Sequence, residues 1–481
     1  MAALRSPEDI LPAPEAAGGA AAVPIRLVDP ARWQALDAEG LSALAGDAAA
    51  DADAVRRLAA IHGFAAAPGA VLVVPGRDGL PAAALAGRPE KALDCWTAAA
   101  IAAALPEGSY RFADPLDDEQ QAAAALGFAL EGYRFSLAAE PKPPALRRLL
   151  VGEKPRRRAL AEARAVFRVR DLVNLPANRL GPQRLAAEVE ALAARHGAAV
   201  EIWRGDALIE KGFPAVHAVG AAGHEPPHVI SLTWGAEDAP RLALVGKGVC
   251  FDSGGLDIKS AQGMRLMKKD MGGAAHALAL AALVMEHGLP VRLHLVIPAV
   301  YNAVDARAYR PGDVIATRKG LQVEIGNTDA EGRLILADAL AFADESAPEL
   351  LIDFATLTGA ARVALGPDLP ALFTRDDALA AALEEAGRRE ADPLWRLPIH
   401  DPYAEDLGSE IADLSNIASH GFAGAIIAAL FLDRFVGRAG AHAHLDIYAW
   451  NGKARPGRPA GGEAFALRAV FAVLRARWPG G

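Results

Sequence analysis

The chain has few cysteines and no excess of positive charge. Its 481 residues include two cysteines, Cys95 and Cys250, which are too few for a disulfide framework and lack zinc-type spacing. Fifty lysines and arginines stand against 59 aspartates and glutamates, for a formal charge of -9. No whole-chain positive field would therefore attract nucleic acid or anionic lipid. Cysteine chemistry and dedicated polyanion binding are not expected.

Long apolar runs and targeting signals are also lacking. The longest apolar run, around 421–432, is shorter than the roughly 20 residues that a helix needs to cross a bilayer. The N-terminal stretch contains Glu8, Asp9 and Pro12, so it lacks the basic and apolar regions of a signal peptide. We expect a cytoplasmic protein without membrane association.

Several common catalytic motifs are missing as well. None of the 12 histidines falls in an HExxH arrangement, which excludes the single-zinc helical metalloprotease. The tripeptide GKG at 246–248 does not fit a phosphate-binding loop, and the residues around Ser253 do not form the GxSxG of a serine hydrolase. His294 and His444 lie in apolar strand candidates, which favours core positions for both.

What is present predicts an α/β protein with two domains. Short apolar strand candidates such as Val71–Pro75 alternate with Ala-rich helical stretches such as Thr97–Leu105, which predicts a smaller N-terminal α/β domain over 1–150. A Pro-rich and then basic segment predicts a linker helix over 151–171. From there to residue 481, strand–turn–helix units predict a catalytic domain with a mainly parallel sheet flanked by helices. Its strand candidates are Val229–Trp234, Leu242–Val249, Val291–Val300, Leu350–Thr356 and His442–Ile447.

The basic segment admits two interpretations. Its arginines, from Arg156 to Arg170, could form a nucleic-acid-binding arm. Acidic residues are interspersed among them, Glu153, Glu162 and Asp171. That mixture favours a solvated linker helix.

Ionisable side chains gather where the strands of the C-terminal domain end, the edge at which such sheets bind ligands. Lys247 falls in the later half of a strand, Asp252 falls at its end, and Lys259 follows seven residues on. Asp270 precedes an apolar helix that we expect to run to about His287. Taken alone, Asp270 is a typical N-cap, whose carboxylate would accept from free backbone N–H groups.

A second cluster, NTDAEGRL at 327–334, lies between the strand candidate Leu321–Ile325 and a helix predicted from Leu334 to about Asp344. An Asx turn before a helix would explain its Asn, Asp and Gly, but not Glu331 and Arg333 together.

The two clusters predict a metal site. Asp252, Asp270, Asp329 and Glu331 could meet only if divalent cations cancelled their mutual repulsion. Oxygen-rich ligation without cysteine or histidine suits Mn, Mg or Zn in a two-metal site.

Three segments together resemble the leucyl aminopeptidase family, also called the cytosol aminopeptidases. They are VGKGVCFDSGG at 245–255, LMKKDMGGAA at 266–275 and NTDAEGRLILADAL at 327–340. NTDAEGRL is that family's signature, and the order and spacing agree. The resemblance runs from about Asp171 to the C-terminus, whereas the N-terminal domain matches only by position and size.

The resemblance implies a metal-dependent aminopeptidase, a hydrolase and metalloprotease that releases N-terminal amino acids from peptides. A water or hydroxide bridging two divalent ions would attack the first peptide bond. Zn or Mn is expected, with Mg or Co as alternatives. Lys259 would stabilise the oxyanion that develops, and Arg333 would hold a bicarbonate that acts as the base. The implied metal ligands are Lys247, Asp252, Asp270, Asp329 and Glu331.

The resemblance also implies a substrate pocket and an assembly. The family forms homohexamers, dimers of trimers, and its substrates are peptides with a free N-terminus. One pocket wall departs from the family, because Tyr448–Asn451 stands where small residues are usual. We therefore expect this bulkier wall to change which side chains the first pocket tolerates. The implied substrate-binding residues are Met267, Asn327, Ala330, Thr356, Leu357 and Gly359.

Two other functional classes are open. Some relatives also act as DNA-binding regulators, which only the basic segment favours here, and we expect no nucleic-acid partner. A different two-metal hydrolase, such as a phosphoesterase, would need phosphate-binding N–H loops or extra cations that the motifs do not supply.

Overall fold

The computed structural model describes residues 3–13, 22–45 and 51–480. The chain divides into two compact units, one of 1–167 with 452–460 and one of 168–451 with 461–481. The division falls inside a helix that spans Glu153–Asn174. The limits at 150 and 171 stay predictions, because a compact unit is not by itself a domain that folds alone. Within the described ranges, no helix is long and apolar enough to cross a membrane.

The first unit is an α/β layer. Its five-stranded sheet has the order β2-β3-β1-β4-β5 and is parallel except where β2 pairs with β3. The predicted strand at Val71–Pro75 is confirmed, and the helix predicted at Thr97–Leu105 spans Cys95–Ala104. The strands are β1 Val23–Val28, β2 Val71–Pro75, β3 Pro81–Gly87, β4 Gly108–Phe112 and β5 Arg147–Leu149; the helices are α1 Pro7–Ile10, α2 Pro30–Ala35, α3 Ala38–Ala45, α4 Ala52–His62, α5 Cys95–Ala104, α6 Asp118–Glu131 and α7 Glu153–Asn174.

The basic residues of α7 are paired with carboxylates of the first unit. Arg158 Nε lies 2.9 Å from Glu162 Oε1, and the same guanidinium contacts Glu119. Lys154 Nζ lies 2.9 Å from Asp118 Oδ2. Their charges are largely balanced, which disfavours a nucleic-acid arm. The helix is not solvated as expected, however, because most of its residues from Ala159 to Asn174 are buried.

The second unit carries a nine-stranded mixed sheet that is parallel at its centre. Its order is β15-β14-β17-β13-β8-β10-β7-β6, with β9 also paired to β10. The strands are β6 Ala199–Arg204, β7 His228–Trp234, β8 Arg241–Gly246, β9 Gly248–Asp252, β10 Arg292–Asn302, β11 Val314–Ala316, β12 Gln322–Glu324, β13 Leu350–Ala355, β14 Ala371–Phe373, β15 Trp395–Arg396, β16 Leu414–Ser415, β17 His442–Asp446, β18 Trp450–Asn451 and β19 Gly461–Gly462. The helices are α8 Pro182–His196, α9 Ala207–Glu210, α10 Pro214–Gly220, α11 Ala261–Met264, α12 Gly272–Glu286, α13 Glu331–Asp344, α14 Gly359–Leu365, α15 Asp377–Arg389, α16 Gly424–Asp433 and α17 Leu467–Arg477, with 3₁₀ helices at Met267–Met271 and Asp401–Leu407.

Helices cover both faces of the central sheet. The helices α10, α13 and α16 pack with alternate residues of β8 and β10, such as Val245 and Val296, in one apolar core. The other face is covered by α12, which packs on β8 and β13. Strands β8 and β13 are accordingly apolar on both sides. The predicted α/β class with a flanked, mainly parallel sheet is confirmed.

The structure corrects one predicted strand. Instead of a single strand over Leu242–Val249 there are two, β8 and β9, because β9 pairs only with the far part of β10. Lys247 lies between them, not inside a strand. Its N–H donates to Phe354 O at 3.0 Å and its carbonyl accepts from Ala274 N at 2.8 Å. The backbone at Lys247 is therefore fixed from both sides.

Of the two histidines expected in the core, His444 is buried and His294 is partly buried. His294 lies on β10 with Nε2 at 3.0 Å from Ser231 Oγ, and burial lowers its pKa to about 4. His444 lies buried on β17, with Nδ1 at 2.6 Å from Asp353 Oδ1.

Candidate metal centre

The predicted ligands converge at the carboxyl ends of the parallel strands. Lys247 follows β8 and Asp252 is the last residue of β9. Glu331 is the first residue of α13, which starts three residues earlier than the predicted Leu334. All of them line one cavity of about 420 Å³, together with Asp270, Asp329 and Lys259.

Three carboxylates come close enough to share an ion. One oxygen each of Asp252, Asp329 and Glu331 lies within 4.8 Å of the others. Asp270 joins them through Lys247, whose Nζ lies 2.7 Å from Asp270 Oδ2 and 2.9 Å from Glu331 Oε1. The five residues with predicted ligand roles thus form one cluster.

Neighbouring groups hold one oxygen of a carboxylate and leave the other facing the cluster. Asp252 Oδ1 accepts from Asn302 Nδ2 at 2.8 Å and from Gly254 N at 2.9 Å. Asp270 Oδ1 accepts from Thr356 Oγ1 at 2.7 Å. Such outer hydrogen bonds orient the ligands of metal sites. Asp270 is therefore not the N-cap of α12, where Met271 holds that position without a side-chain bond.

Glycines allow α12 to pack closely on β13 and allow α13 to pack closely on the Lys247 side chain. A Cβ at Gly273 would lie 2.1 Å from Phe354 O, and one at Gly332 would lie 2.5 Å from Lys247 Cε. Larger residues would push α12 away from β13, or α13 away from the Lys247 side chain.

The pKa values in the cluster are shifted by burial and by the neighbouring charges. Burial and Asp252 raise the pKa of Glu331 to about 8 and that of Asp329 to about 6. Burial lowers the pKa of Lys247, but Asp270, Glu331 and Asp252 outweigh it and leave that pKa above its usual value. For Asp270, burial acts upward, and Lys247 more than reverses it, so that pKa lies below its usual range.

The donor set fits divalent cations. Oε2 of Glu331 is buried without a hydrogen-bond partner among the residues the structure describes, whereas Oε1 of Glu331, Oδ2 of Asp270 and Oδ1 of Asp329 face the ammonium groups of Lys247 and Lys259. Buried oxygens normally have partners, and hard cations prefer carboxylate oxygens. The amine of Lys247 adds a nitrogen ligand once it loses its proton.

The two predicted catalytic cations lie in different settings. Lys259 Nζ lies 2.7 Å from Asp252 Oδ2 and also contacts Asp329, at the edge of the cavity. Arg333 is buried in the first turn of α13 and does not line the cavity. Its Nη1 donates to Asn416 O at 2.6 Å, and burial lowers its pKa to about 10.

The predicted substrate pocket is only partly assembled at this cavity. Met267, Thr356, Leu357 and Gly359 line it, whereas Asn327 and Ala330 do not. Asn327 instead accepts the N–H of Asp329 at 2.7 Å and so shapes the ligand loop. Of the divergent stretch at 448–451, Tyr448 alone lines the cavity.

Some residues of the site were missed by sequence reasoning. Asp446 lines the cavity at the end of β17, where the strand-end argument that selected Asp252 would have found it. Its Oδ1 accepts from the backbone N–H of Leu357 at 3.0 Å, and its Oδ2 from Thr358 Oγ1 at 2.6 Å. Asp446 thus fixes the loop after β13. No single-residue motif pointed to two further lining cations, Lys269 and Arg362.

Comparison with known proteins finds relatives that match over most of the chain. The model described as cytosol aminopeptidase family, catalytic domain, matches 167–471, and the M17 aminopeptidase N-terminal domain model matches 8–151. A probable cytosol aminopeptidase of Geobacter sp. (strain M21) is 41% identical over 407 residues, 81% of each chain. The crystal structure of the cytosol aminopeptidase from Coxiella burnetii has a TM-score of 0.89 and 46% identity, and covers 95% of this chain and 98% of that one. The bottromycin maturation enzyme BotP in complex with Mn has a TM-score of 0.82 and 35% identity, over 95% of this chain and 100% of that one.

Proposed function

This chain belongs to the cytosol aminopeptidase family, a family of exopeptidases, and we propose that it acts as a two-metal aminopeptidase at the carboxylate cluster. The observation that carries the proposal is the meeting of Asp252, Asp329 and Glu331 within 4.8 Å, with Oε2 of Glu331 buried and without a hydrogen-bond partner in the described chain. The proposed metal ligands are Lys247, Asp252, Asp270, Asp329 and Glu331.

Two divalent ions, when bound, would supply a water acidic enough to attack a peptide carbonyl near neutral pH. The chain's own residues then orient and stabilise. Lys259, at the cavity edge, is placed to donate to the oxygen on which negative charge develops. Asp446 and Thr356 hold the loop and the ligand around which the substrate binds.

A further proposed role belongs to Arg333. It lies two residues after Glu331, and its buried Nε has no hydrogen-bond partner among the described residues. We propose that this free N–H group holds an anion such as bicarbonate, which would accept the proton that the guanidinium itself cannot accept.

Metal identity is proposed from the donor set, and assembly and location from the family. Zn or Mn suits the mixed oxygen and nitrogen donors, and the Mn complex of BotP supports Mn. A homohexamer and a cytoplasmic location are proposed from the family and from the name cytosol aminopeptidase that its relatives carry. Nucleic acid is not proposed as a partner, because cations of α7 are paired.

The test is hydrolysis of a panel of aminoacyl-anilides after chelation and after return of Mn, Zn, Co or Mg, with bound metal measured in parallel. Glu331→Gln should lose bound metal and activity together. Glu237→Gln removes an exposed carboxylate of the same unit and should change neither. Full turnover by Glu331→Gln, or turnover that chelation leaves intact, would reject the proposal.

A further inference from the structure

One wall of the cavity carries an aromatic ring with two cations near it. Lys269 Nζ lies 5.1 Å from the centroid of the Tyr448 ring, and Arg362 Cζ lies 4.8 Å from it. All three residues line the cavity that holds the carboxylate cluster. They come from three segments, namely the 3₁₀ helix at Met267–Met271, helix α14 and the loop after β17.

Lys269 is a buried cation without an anion. Its residue exposure is 5%, and within the described ranges it has no ion pair and no hydrogen-bond acceptor. Two carboxylates act on Lys269 through their charge, but both are bonded to other groups. Asp270 pairs with Lys247, and Asp446 accepts from the backbone N–H groups of 357 and 358. The neighbouring Lys268, by contrast, donates to Asn174 O at 2.6 Å. A buried ammonium is costly unless it is paired, and the Tyr448 ring offsets only part of that cost.

Arg362 adds a second unpaired positive charge to the same wall, on its exposed side. It is exposed, and it has no ion pair among the described residues. Two divalent ions would neutralise the four carboxylates of the cluster, so the charge that this wall presents to a ligand is positive. An anionic group that enters the cavity is the partner that the two cations lack.

We propose that this wall selects substrates whose N-terminal residue is acidic, glutamate or aspartate, by binding the side-chain carboxylate between Lys269 and Arg362 at the edge of Tyr448. The proposal rests on the aminopeptidase function proposed above. Lys269 lines the same cavity as the proposed ligands Asp270 and Glu331, so its ammonium borders the space that the first side chain of a substrate bound at the ions would enter. The C-terminal carboxylate of a short peptide has the same chemistry but lies farther along the chain.

The test compares Glu-anilide with Gln-anilide, which match in shape and differ in charge, on the metal-loaded enzyme. We expect kcat/KM to be at least about tenfold higher for Glu-anilide than for Gln-anilide, because a hydrogen bond to a charged group typically contributes that much. Lys269→Met should abolish the ratio mainly through KM, while Leu-anilide turnover persists. Arg265→Met removes an exposed cation four residues away and should leave the ratio unchanged. Because Arg362 is exposed, Arg362→Glu keeps the test open if Lys269→Met does not fold, and it should shift preference toward Lys-anilide.

Three outcomes would overturn the inference. A Glu to Gln ratio near one in the unmodified enzyme would do so, and so would a ratio that neither substitution changes. A loss in Lys269→Met that affects Leu-Gly but not Leu-Gly-amide would assign the wall to the C-terminal carboxylate instead. Absence of metal-dependent turnover on every substrate would reject the proposed function itself, which keeps the two failures distinct.

Discussion

Lys247 and Lys259 reach the same carboxylates from different depths. The Lys247 side chain is 3% exposed, lies between Asp270 and Glu331, and donates to Thr356 O at 3.0 Å. The Lys259 side chain is 15% exposed and borders the cavity. Both lysines border the cavity, but the Lys247 amine lies deeper, between two carboxylates, and the Lys259 amine is the more accessible of the two to a substrate.

The backbone reinforces that difference. Lys247 is fixed between β8 and β9, with both its N–H and its carbonyl bonded. Lys259 lies in a loop, where its N–H donates to Ser253 O at 2.9 Å. Two residues of one type and one charge thus have different proposed roles, a metal ligand that must be rigid and a donor that meets the substrate.

The largest expected effect is that of Lys247→Met. If this variant behaved like Lys259→Met, the two lysines would not have the different roles proposed for them. Removing the amine deletes a ligand and leaves Asp270 and Glu331 without their cation. We expect loss of bound metal and of measurable activity. Metal analysis of the purified variant checks this, and a full metal complement with normal turnover would contradict a ligand role.

Lys259→Met should be milder and of a different kind. Losing one donor to a developing oxyanion lowers kcat by about 10²–10³-fold, at least about 2 kcal/mol. Both ions should remain, because Lys259 lies beside the ligands and is not one of them in the proposal. Single-turnover rates and metal content on the same sample decide the point; a variant that loses both ions would place Lys259 among the groups that hold the centre.

Thr356→Val tests the outer contact on the Lys247 side. The hydroxyl holds Asp270 Oδ1 at 2.7 Å, and losing such a contact lowers metal affinity by about 10–100-fold. At saturating metal, kcat should be close to normal. Thr317→Val removes a similarly buried hydroxyl that bonds Leu321 O at 2.9 Å, and it should leave metal affinity unchanged. Equal effects from the two variants would show that Thr356 acts through packing alone.

Sequence reasoning succeeded where chemistry is local to a motif. The carboxylates of NTDAEGRL and the strand-end Asp252 were predicted together because the carboxyl ends of parallel strands share one edge. It wrongly placed Lys247 inside a strand, because the break between β8 and β9 depends on their pairing with β10. The helix start at Glu331 was missed because Ala330, the N-cap, makes no side-chain bond that a sequence pattern would reveal.

The cationic wall lay beyond sequence reasoning for a similar reason. Tyr448 was noticed as a departure from the family, but the cations beside it come from segments far apart in the chain. Lys269 sits within LMKKDMGGAA, where nothing distinguishes it from Lys268. Only the fold separates them, by burying Lys269 at the cavity and placing the Lys268 ammonium on Asn174 O.

The smallest expected effect is a pH dependence of stability. It sharpens the comparison because it depends on Glu331, the carboxylate that Lys247 contacts and Lys259 does not. In the protein without bound ions, the pKa of Glu331 is raised from its usual 4.5 to about 8 by burial and Asp252. A raised pKa means that the stability the neutral carboxyl contributes is present below about 4.5 and is lost as pH rises through about 8. The chelated enzyme should therefore become less stable across that range.

Bound metal adds a contribution to stability that increases with pH, opposite to the trend of the chelated enzyme. Ions bind the ionised carboxylate and the neutral amine of Lys247, so binding releases protons and tightens as pH rises. Because tighter binding to the folded state adds stability, the gap in Tm between metal-loaded and chelated enzyme should widen from pH 6 to pH 8.5, a window set by the pKa of about 8 at Glu331. Glu331→Gln cannot ionise and should flatten the pH profile of the chelated protein, whereas Glu237→Gln should follow the unmodified enzyme. Scanning calorimetry at matched ionic strength measures both, and a gap that narrows with rising pH would contradict the assigned ligands.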